Sequence, residues 1–319
     1  MIFKIIFLLI VTASLCLGIS FVSAQEEKFE IKEILTGNLG KRAGEFGGLT
    51  EKELKRKEDP LAYTTASFPQ DFTIDSVGNI IIADGSNHRL QIFSKDGKFL
   101  FLLSECGSVK LQYPYRVAVN RNDDIIVGEE TNGRVYVFSR EGKLLFKIEA
   151  KEIGIYNVHE IKVDNTNRIY IYQIPDKINI FSEKGVFIKS MVSSGFVMDS
   201  NNNIWSIGTL ESNVNLYQIK PKGDWKYLEL VGIDNHHNFY FRAEEATKPN
   251  EDFLLITDSQ GSLKAKIKTF INGYYVYRWH ISYSGEIYAM GINSSSKKSF
   301  LKIIKITKKI SGQYKGAKP

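Results

Sequence analysis

Cysteine, proline and histidine are all scarce in this chain of 319 residues. It has two cysteines, Cys16 and Cys106, seven prolines and five histidines. Cys16 lies in the apolar N-terminal run, so Cys106 alone would remain if that run is cleaved off, and one cysteine cannot form an internal disulfide; so few prolines argue against disorder. Five histidines leave little room for a repeated set of histidine metal ligands. The folded state must therefore be stabilised mainly by packing.

The composition is that of a strand-rich folded protein. Hydrophobic residues make up 43% of the chain and aromatic residues 12%, enough for a full-sized core. The net charge is +6, and lysines gather in residues 52–57 and 297–318. These clusters indicate solvated surface and a polar tail. A basic chain permits RNA binding, but the N-terminal pattern argues against a nucleic-acid partner.

The N-terminus has the pattern of a signal peptide. Lys4 precedes an apolar run over residues 5–22, and small residues end it at Ala24. The pattern predicts cleavage after Ala24 and a secreted or periplasmic protein with no membrane span after cleavage. Retention of the run as a membrane anchor is the alternative, because its length approaches the ~20 residues that span a bilayer.

A polar turn recurs six times along the chain. Each copy opens with Asp, Asn or Ser and leads into a short strand of β-branched and aromatic residues. The copies occupy residues 75–79, 120–124, 164–168, 199–203, 234–238 and 282–286. A second hairpin follows in each of the first three units, with Gly97, Gly142 and Gly185 at its turn. Units four and five follow this pattern more loosely, with Gly223 and Gly261 in the equivalent turns.

Four short antiparallel strands per unit, at a period of about 40 residues, predict an all-β six-bladed β-propeller. The sixth unit supplies three strands, and the missing one is FEIKEIL at residues 29–35. We expect this N-terminal strand to complete the last blade and close the ring, which removes exposed sheet edges. The predicted organisation is a signal peptide over 1–24, a propeller over 25–310 and a polar tail over 311–319.

Two consecutive units carry a family resemblance. FPQDFTIDSVGNIIIADGSNHRLQIFSKDGKFL, residues 68–100, resembles an NHL repeat, and YPYRVAVNRNDDIIVGEETNGRVYVFSREGKLL, residues 113–145, is its next copy. The glycine-rich residues 40–47 are similar to the segment that commonly precedes such repeats. The resemblance implies a funnel-shaped ring with a central channel. It does not imply one chemistry, since NHL-like propellers include protein-binding modules, RNA-binding domains and metal-dependent enzymes.

A polar ring is predicted at the channel mouth, on the face opposite the regular turns. Counting back four and five residues from each recurrent turn gives the start of the innermost strands. The ligand-binding candidates there are Asp71, Tyr115, Arg116, His159, Glu160, Tyr277 and Arg278. One interpretation is a binding surface, and the other is that the charged members pair with one another. Asp84 with Arg89, and Glu129 with Arg134, flank the same hairpin in two units and are predicted to form structural ion pairs.

The sequence contains no recognisable catalytic motif. It favours a monomeric, non-catalytic binding or scaffolding propeller, without a cofactor, that recognises a protein, peptide or glycan at the channel mouth. The alternative is a metal-dependent lyase or lactonase-type hydrolase, which the family resemblance also allows. That reading places a divalent metal such as calcium or zinc in the channel, with Asp71, His159, Glu160 and His280 as its ligands.

Overall fold

The computed structural model describes residues 29–49, 68–130, 133–149, 154–175, 177–193, 195–207, 216–247, 251–293, 295–298 and 300–308. The predicted signal peptide (1–24) and polar tail (311–319) lie outside these residues. No helix in the described part is long and apolar enough to cross a membrane.

The recurrent polar turns share one geometry. In the first, Asp75 Oδ1 accepts hydrogen bonds from the N–H groups of Val77 at 3.1 Å and Asn79 at 2.7 Å. The fourth residue of each turn has a positive φ, between 55° and 91°. These fourth residues are Gly78, Asp123, Asn167, Asn202, His237 and Gly285. Glycine, Asn, Asp and His tolerate this backbone region best, so the predicted repeat is confirmed at every turn.

Units one to three each form a blade of four antiparallel strands. The first strands in the described residues are β1 (Phe29–Leu39) and the short β2 (Glu45–Phe46). Blade 1 contains β3 (Asp71–Ile74), β4 (Ile80–Asp84), β5 (Arg89–Phe93) and β6 (Phe99–Leu103). A hairpin of β7 (Glu105–Cys106) and β8 (Val109–Lys110) follows. Blade 2 contains β9 (Pro114–Val119), β10 (Ile125–Glu129), β11 (Arg134–Phe138) and β12 (Leu144–Glu149). Blade 3 contains β13 (Glu160–Val163), β14 (Ile169–Gln173), β15 (Lys177–Phe181) and β16 (Phe187–Val192).

The fourth unit departs from the predicted pattern. Its described strands are β17 (Val197–Met198), β18 (Ile204–Ser206) and β19 (Leu216–Gln218), and β18 pairs with β19 in parallel. The strand after Gly223, predicted to complete this unit, instead begins β20 (Trp225–Ile233). Strand β20 pairs from Trp225 onward with β21 (Phe239–Glu245) of the next sheet.

The prediction of six four-stranded blades is therefore wrong: within the described residues there are five complete blades, and the sheet of unit four has three short strands. The cause lies in the pairing of β20. The residues after Gly223, which would form a fourth strand of unit four, are hydrogen-bonded to β21 of the next sheet instead.

The last two blades complete the ring of sheets. Blade 4 contains β20, β21, β22 (Asp252–Thr257) and β23 (Leu263–Lys268). Blade 5 contains β25 (Tyr274–Ile281), β26 (Ile287–Ile292), β27 (Leu301–Lys308) and the N-terminal β1, with the short β24 (Phe270–Ile271) on its inner side. Strand β1 pairs antiparallel with β27 from Phe29, opposite Lys308, to Gly37, opposite Leu301. The predicted completion of the last blade by the N-terminal strand is confirmed.

The hydrophobic core lies in layers between successive sheets. Between blades 1 and 2, for example, Ile81 and Leu90 lie in one cluster with Val127 and Phe138. Between blades 5 and 1, Ile303 and Phe72 belong to another such cluster. Because apolar side chains fill these layers, the inner strands are held at fixed positions around the centre.

Candidate functional site

A central channel runs between the innermost strands. Its cavity of about 430 Å³ is lined by residues of β3, β9, β13, β17, β20 and β25. The regular turns, including Ser76 and Ser282, lie at one end, and Asp71, Glu160 and Arg278 lie at the other. A second cavity of about 220 Å³, the mouth pocket, opens beyond that second end. Glu160 and Arg278 line both cavities, so these side chains form the boundary between channel and mouth pocket.

Arg278 is the centre of the charged ring. From β25, its Nε lies 2.6 Å from Asp71 Oδ1 on β3, and its Nη2 lies 2.7 Å from Glu160 Oε2 on β13. The Arg278 side chain is 16% exposed and that of Asp71 is 6% exposed. Charge-assisted hydrogen bonds of this length are strong when they are shielded from water. One guanidinium therefore joins strands from blades 5, 1 and 3.

Arg116 extends the same network along β9. Its Nε donates to the carbonyl oxygen of His159 at 2.6 Å and lies 3.9 Å from Glu160 Oε2. Its guanidinium carbon lies 3.8 Å from the centre of the Tyr115 ring, a cation–π distance. Asp71 Oδ2 accepts from the backbone N–H of Val117 at 3.0 Å. The structure thus brings five of the predicted residues together, and the charged ones are paired.

Glu160 is held in its ionised form. Its burial acts to raise the pKa of the carboxyl, but Arg278, Lys162 and Arg116 outweigh this and hold the pKa well below its usual range. Lys162 lies two positions along β13, with its Nζ 3.6 Å from Glu160 Oε1. Side chains two residues apart on a strand lie on the same face of the sheet. Lys162 could therefore have been predicted beside Glu160 from the sequence, although counting back from the turns did not select it.

Tyr277 is fixed by its own contacts. Its hydroxyl donates to the carbonyl oxygen of Pro69 at 2.6 Å, and its ring lies 4.9 Å from that of Phe68. Burial, helped by the nearby Asp71 carboxylate, raises the pKa of the Tyr277 hydroxyl well above its usual value. The Tyr277 side chain is therefore neutral and lines the mouth pocket, and its hydroxyl hydrogen is already used in the hydrogen bond to Pro69.

The two predicted histidines lie on different cavities. His159 lines the mouth pocket with its ring 5.7 Å from that of Tyr172, and His280 lines the channel between Phe72 and Tyr288. Burial and then the charge of Arg116 lower the pKa of His159. Burial and then the charge of Lys162 lower the pKa of His280 to about 4. Both imidazoles are neutral at neutral pH.

The four residues proposed as a metal-ligand set are not arranged as one. Within the described ranges, no group of three or more His, Cys, Asp or Glu residues is placed to hold a metal ion. Asp71 and Glu160 instead share the guanidinium of Arg278, while His159 and His280 line separate cavities. The side chains that would have to bind a metal are thus either hydrogen-bonded to Arg278 or located in different cavities.

The neutral state of His280 predicts a pH-dependent loss of stability. Its pKa is about 4 in the folded chain and about 6.5 when unfolded, so between these values only the unfolded state takes up the proton. The free energy of unfolding therefore decreases as the pH is lowered from about 6.5 to about 4. We expect the wild type to lose about 2 kcal/mol more than His280→Phe between pH 7.5 and pH 5 in urea unfolding. The exposed His236→Ala serves as control and should follow the wild type; parallel curves for wild type and His280→Phe would refute the assignment.

The sequence-predicted ion pair on blade 1 is confirmed. Arg89 Nε lies 2.9 Å from Asp84 Oδ2, and both side chains are buried. Asp84 also accepts from the N–H of Gly47 at 2.8 Å, while Arg89 donates to the carbonyl oxygen of Lys41 at 2.8 Å. The pair fixes the glycine-rich lead-in to blade 1 and lies outside the mouth pocket.

The mouth pocket also contains residues that were not among the predicted ligand-binding residues. Its walls include Tyr172, Phe196, Tyr227 and Trp279, together with the carboxylate of Glu229. Tyr227 and Glu229 lie on the first part of β20. Counting back five residues from the turn at 234–238 places Glu229 in the ring at the channel mouth, whereas Tyr227 lies two residues before the counted position and was not predicted there.

These features define an all-β propeller with a paired charge network at the base of an aromatic-walled pocket. The model of the NHL repeat matches residues 67–93. Protein brain tumor of Drosophila melanogaster is 48% identical over 56 residues, which is 17% of this chain and 5% of that protein. The first blade of this propeller therefore contains an NHL repeat. The match spans only a small part of that relative's length.

Solved propellers share the architecture. Virginiamycin B lyase from Staphylococcus aureus matches with a TM-score of 0.51 and 15% identity, over 88% of this chain and 99% of that chain. A streptogramin B lyase matches with a TM-score of 0.48 and 14% identity, over 88% of this chain and 98% of that chain. At such identities the similarity describes the fold alone.

Proposed function

We propose that this protein is a non-catalytic binding propeller that acts outside the cytoplasm and holds a protein segment, peptide or glycan in its mouth pocket. The observation that carries the proposal is the bridge from Arg278 to carboxylates on two other strands. The bridge fixes the base of a concave, aromatic-walled pocket. A surface that does not reorganise on binding loses less entropy when it takes a ligand.

The contacts of the polar ring favour binding over reaction. Arg278 is hydrogen-bonded to the Asp71 and Glu160 carboxylates, and the Tyr277 hydroxyl donates its hydrogen bond to the carbonyl oxygen of Pro69. A general acid or base needs a proton that it can transfer near the operating pH. We therefore assign Asp71, Arg116, Glu160 and Arg278 to the base of the pocket. His159 and the ring of Tyr277 form its walls, and Tyr115 supports Arg116.

The proposed location outside the cytoplasm is based on the signal-peptide pattern at the N-terminus. Removal of residues 1–24 would release a propeller over 25–310 with a polar tail over 311–319, acting as a secreted or periplasmic monomer. Outside the cytoplasm, peptides and glycans are accessible ligands.

The proposal is tested with the purified protein on arrays of synthetic peptides and oligosaccharides. The double variant Tyr227→Ala, Glu229→Gln removes the Tyr227 ring and the Glu229 charge from the mouth, and we expect it to weaken binding of any retained probe by about tenfold or more. The matched control is His236→Ala, an exposed turn residue at the opposite end of the channel, which should bind as the wild type does. Loss of binding in the control with full binding in the double variant would place the site on the turn face instead.

A further inference from the structure

A second set of side chains lies inside the channel, on the turn side of the charged ring. It occupies the position two residues before each recurrent turn, whereas the charged ring lies four residues before it. All six residues line the channel cavity of about 430 Å³, a volume within the ~300–1,000 Å³ usual for ligand sites. We call this set the mid-channel ring; it consists of Thr73, Ala118, Lys162, Val197, Gly232 and His280.

Three members of the mid-channel ring have polar groups that the fold leaves unused. Thr73 is only 5% exposed, and its hydroxyl forms no hydrogen bond with any residue that the structure describes. The imidazole of His280 also has no hydrogen-bond partner among the described residues. Lys162 Nζ lies 3.6 Å from Glu160 Oε1, beyond the ~2.7–3.2 Å of an N–H···O hydrogen bond. Shielded polar groups are normally hydrogen-bonded, so these three are available to a bound molecule.

These three polar groups lie around one space. The His280 ring lies 6.1 Å from the ring of Phe72, the neighbour of Thr73 on β3. The imidazole and the Thr73 hydroxyl therefore reach the channel from neighbouring blades. After burial, the charge of Lys162 has the largest influence on the pKa of His280, so the ammonium lies near the imidazole. The charged ring lies across the mouth end of the cavity, which leaves the regular-turn end as the route of entry.

Lys162 determines the charge of the molecule that fits. Its ammonium has three donors and no acceptor, while a hydroxyl and a neutral imidazole can each donate one hydrogen bond. The Asp71 and Glu160 carboxylates are hydrogen-bonded to Arg278 instead. Several donors with one available positive charge favour an anion with more than one acceptor. One ammonium balances a carboxylate, whereas a phosphate group carries about −1.5 to −2 charges.

We propose that the channel binds a small organic carboxylate, which enters past the regular turns and is held at the mid-channel ring. The carboxylate oxygens accept hydrogen bonds from the Lys162 ammonium, the Thr73 hydroxyl and the imidazole N–H of His280. Ala118 and Val197, at the same level, contact the hydrocarbon part of the ligand. This site is distinct from the mouth pocket, so the inference goes beyond the proposed function.

The test is a titration of the purified protein with sodium acetate, lactate, pyruvate and benzoate. Binding is followed in ¹H–¹⁵N spectra of the histidine side chains and by isothermal calorimetry, with sodium chloride as the blank. The His280→Phe variant assigns the signals of His280. We expect at least one carboxylate to shift these signals while those of the exposed His236 stay in place.

Two variants test the donors. Lys162→Met should bind the carboxylate at least about tenfold more weakly. Lys266→Met should bind it as the wild type does, and it is a matched control because both lysine side chains are 32% exposed beside a glutamate. Thr73→Val removes a hydroxyl that no described residue uses. It should weaken binding about threefold or more without lowering the stability of the ligand-free protein.

Three outcomes overturn the inference. If no carboxylate shifts the His280 signals at concentrations up to about 50 mM, the channel has no such site. Equal affinity of the wild type and Lys162→Met places the carboxylate elsewhere. Inorganic phosphate that binds more tightly than every carboxylate contradicts the ligand class. The variant Tyr227→Ala, Glu229→Gln should keep its carboxylate binding, so this inference and the proposed function can fail separately.

Discussion

Urea unfolding of Arg278→Met is expected to show a loss of about 3–5 kcal/mol in the free energy of unfolding. The guanidinium of Arg278 is the shared partner of Asp71 and Glu160, at 2.6 and 2.7 Å. Methionine fills similar space but leaves two shielded carboxylates without that cation. Uncompensated buried charge is among the costliest single changes in a folded protein.

The matched control for this variant is Arg168→Met. Arg168 Nε lies 2.6 Å from Asp164 Oδ2, but the arginine side chain is 42% exposed. The Asp164 carboxylate is buried but keeps hydrogen bonds from Thr166, from the Arg168 N–H and from the Tyr170 hydroxyl, so the control should lose only about 1 kcal/mol. Equal losses in the two variants would mean that Arg278 has no special place in the network.

The effect of Arg278→Met should also depend on pH. In the wild type the pKa of Glu160 lies below its usual range, so its contribution to stability is present above the unfolded pKa of about 4.3. That contribution is lost as pH falls further. The difference between wild type and variant should therefore shrink below about pH 4. A difference that stays constant down to acid pH would contradict the ion-pair explanation.

Gly97→Ala is expected to lower the free energy of unfolding by about 3 kcal/mol. Gly97 has a φ of 77°, and an added Cβ would lie 2.2 Å from the carbonyl oxygen of Ile34 in β1. That atom belongs to the backbone of the strand that completes blade 5. The methyl group would therefore strain its own turn and also push the closing strand away from blade 1.

Gly142→Ala separates these two effects. Gly142 occupies the equivalent turn of blade 2 with a φ of 87°, but its added Cβ would meet only side-chain atoms of Leu103 and Phe101, at 3.5 and 3.6 Å. It should lose only the backbone strain, about 1 kcal/mol. Hydrogen exchange in residues 29–37 should accelerate in Gly97→Ala and not in Gly142→Ala. Equal losses, with β1 protected in both, would show that the contact with β1 does not hold the closing strand.

Local chemistry explains what could be predicted from the sequence. The Asp75 turn needs a side-chain acceptor at its first residue and a tolerated positive φ at its fourth, and both requirements are visible as residue types. The closing strand was predictable because the last unit lacks one strand and residues 29–35 have strand character. Counting back from the turns also located Asp71, Arg116, Glu160 and Arg278, because the repeat fixes the register of the innermost strands.

The features that could not be predicted depend on three-dimensional contacts, which the residue types alone do not reveal. In unit four the residues after Gly223 have ordinary strand composition, and only the pairing of Trp225 with Glu245 assigns them to the next blade. Tyr277 looked available in the sequence, yet its hydroxyl is bonded to Pro69.

The most direct test of the account is a crystal structure of the protein with the tightest-binding member of the peptide and oligosaccharide arrays. The account predicts that the probe lies in the mouth pocket, in contact with Tyr227, Glu229 and Trp279, while Arg278 keeps its bonds to Asp71 and Glu160. A probe bound on the regular-turn face or on an outer blade edge, with the mouth pocket unchanged, would contradict it.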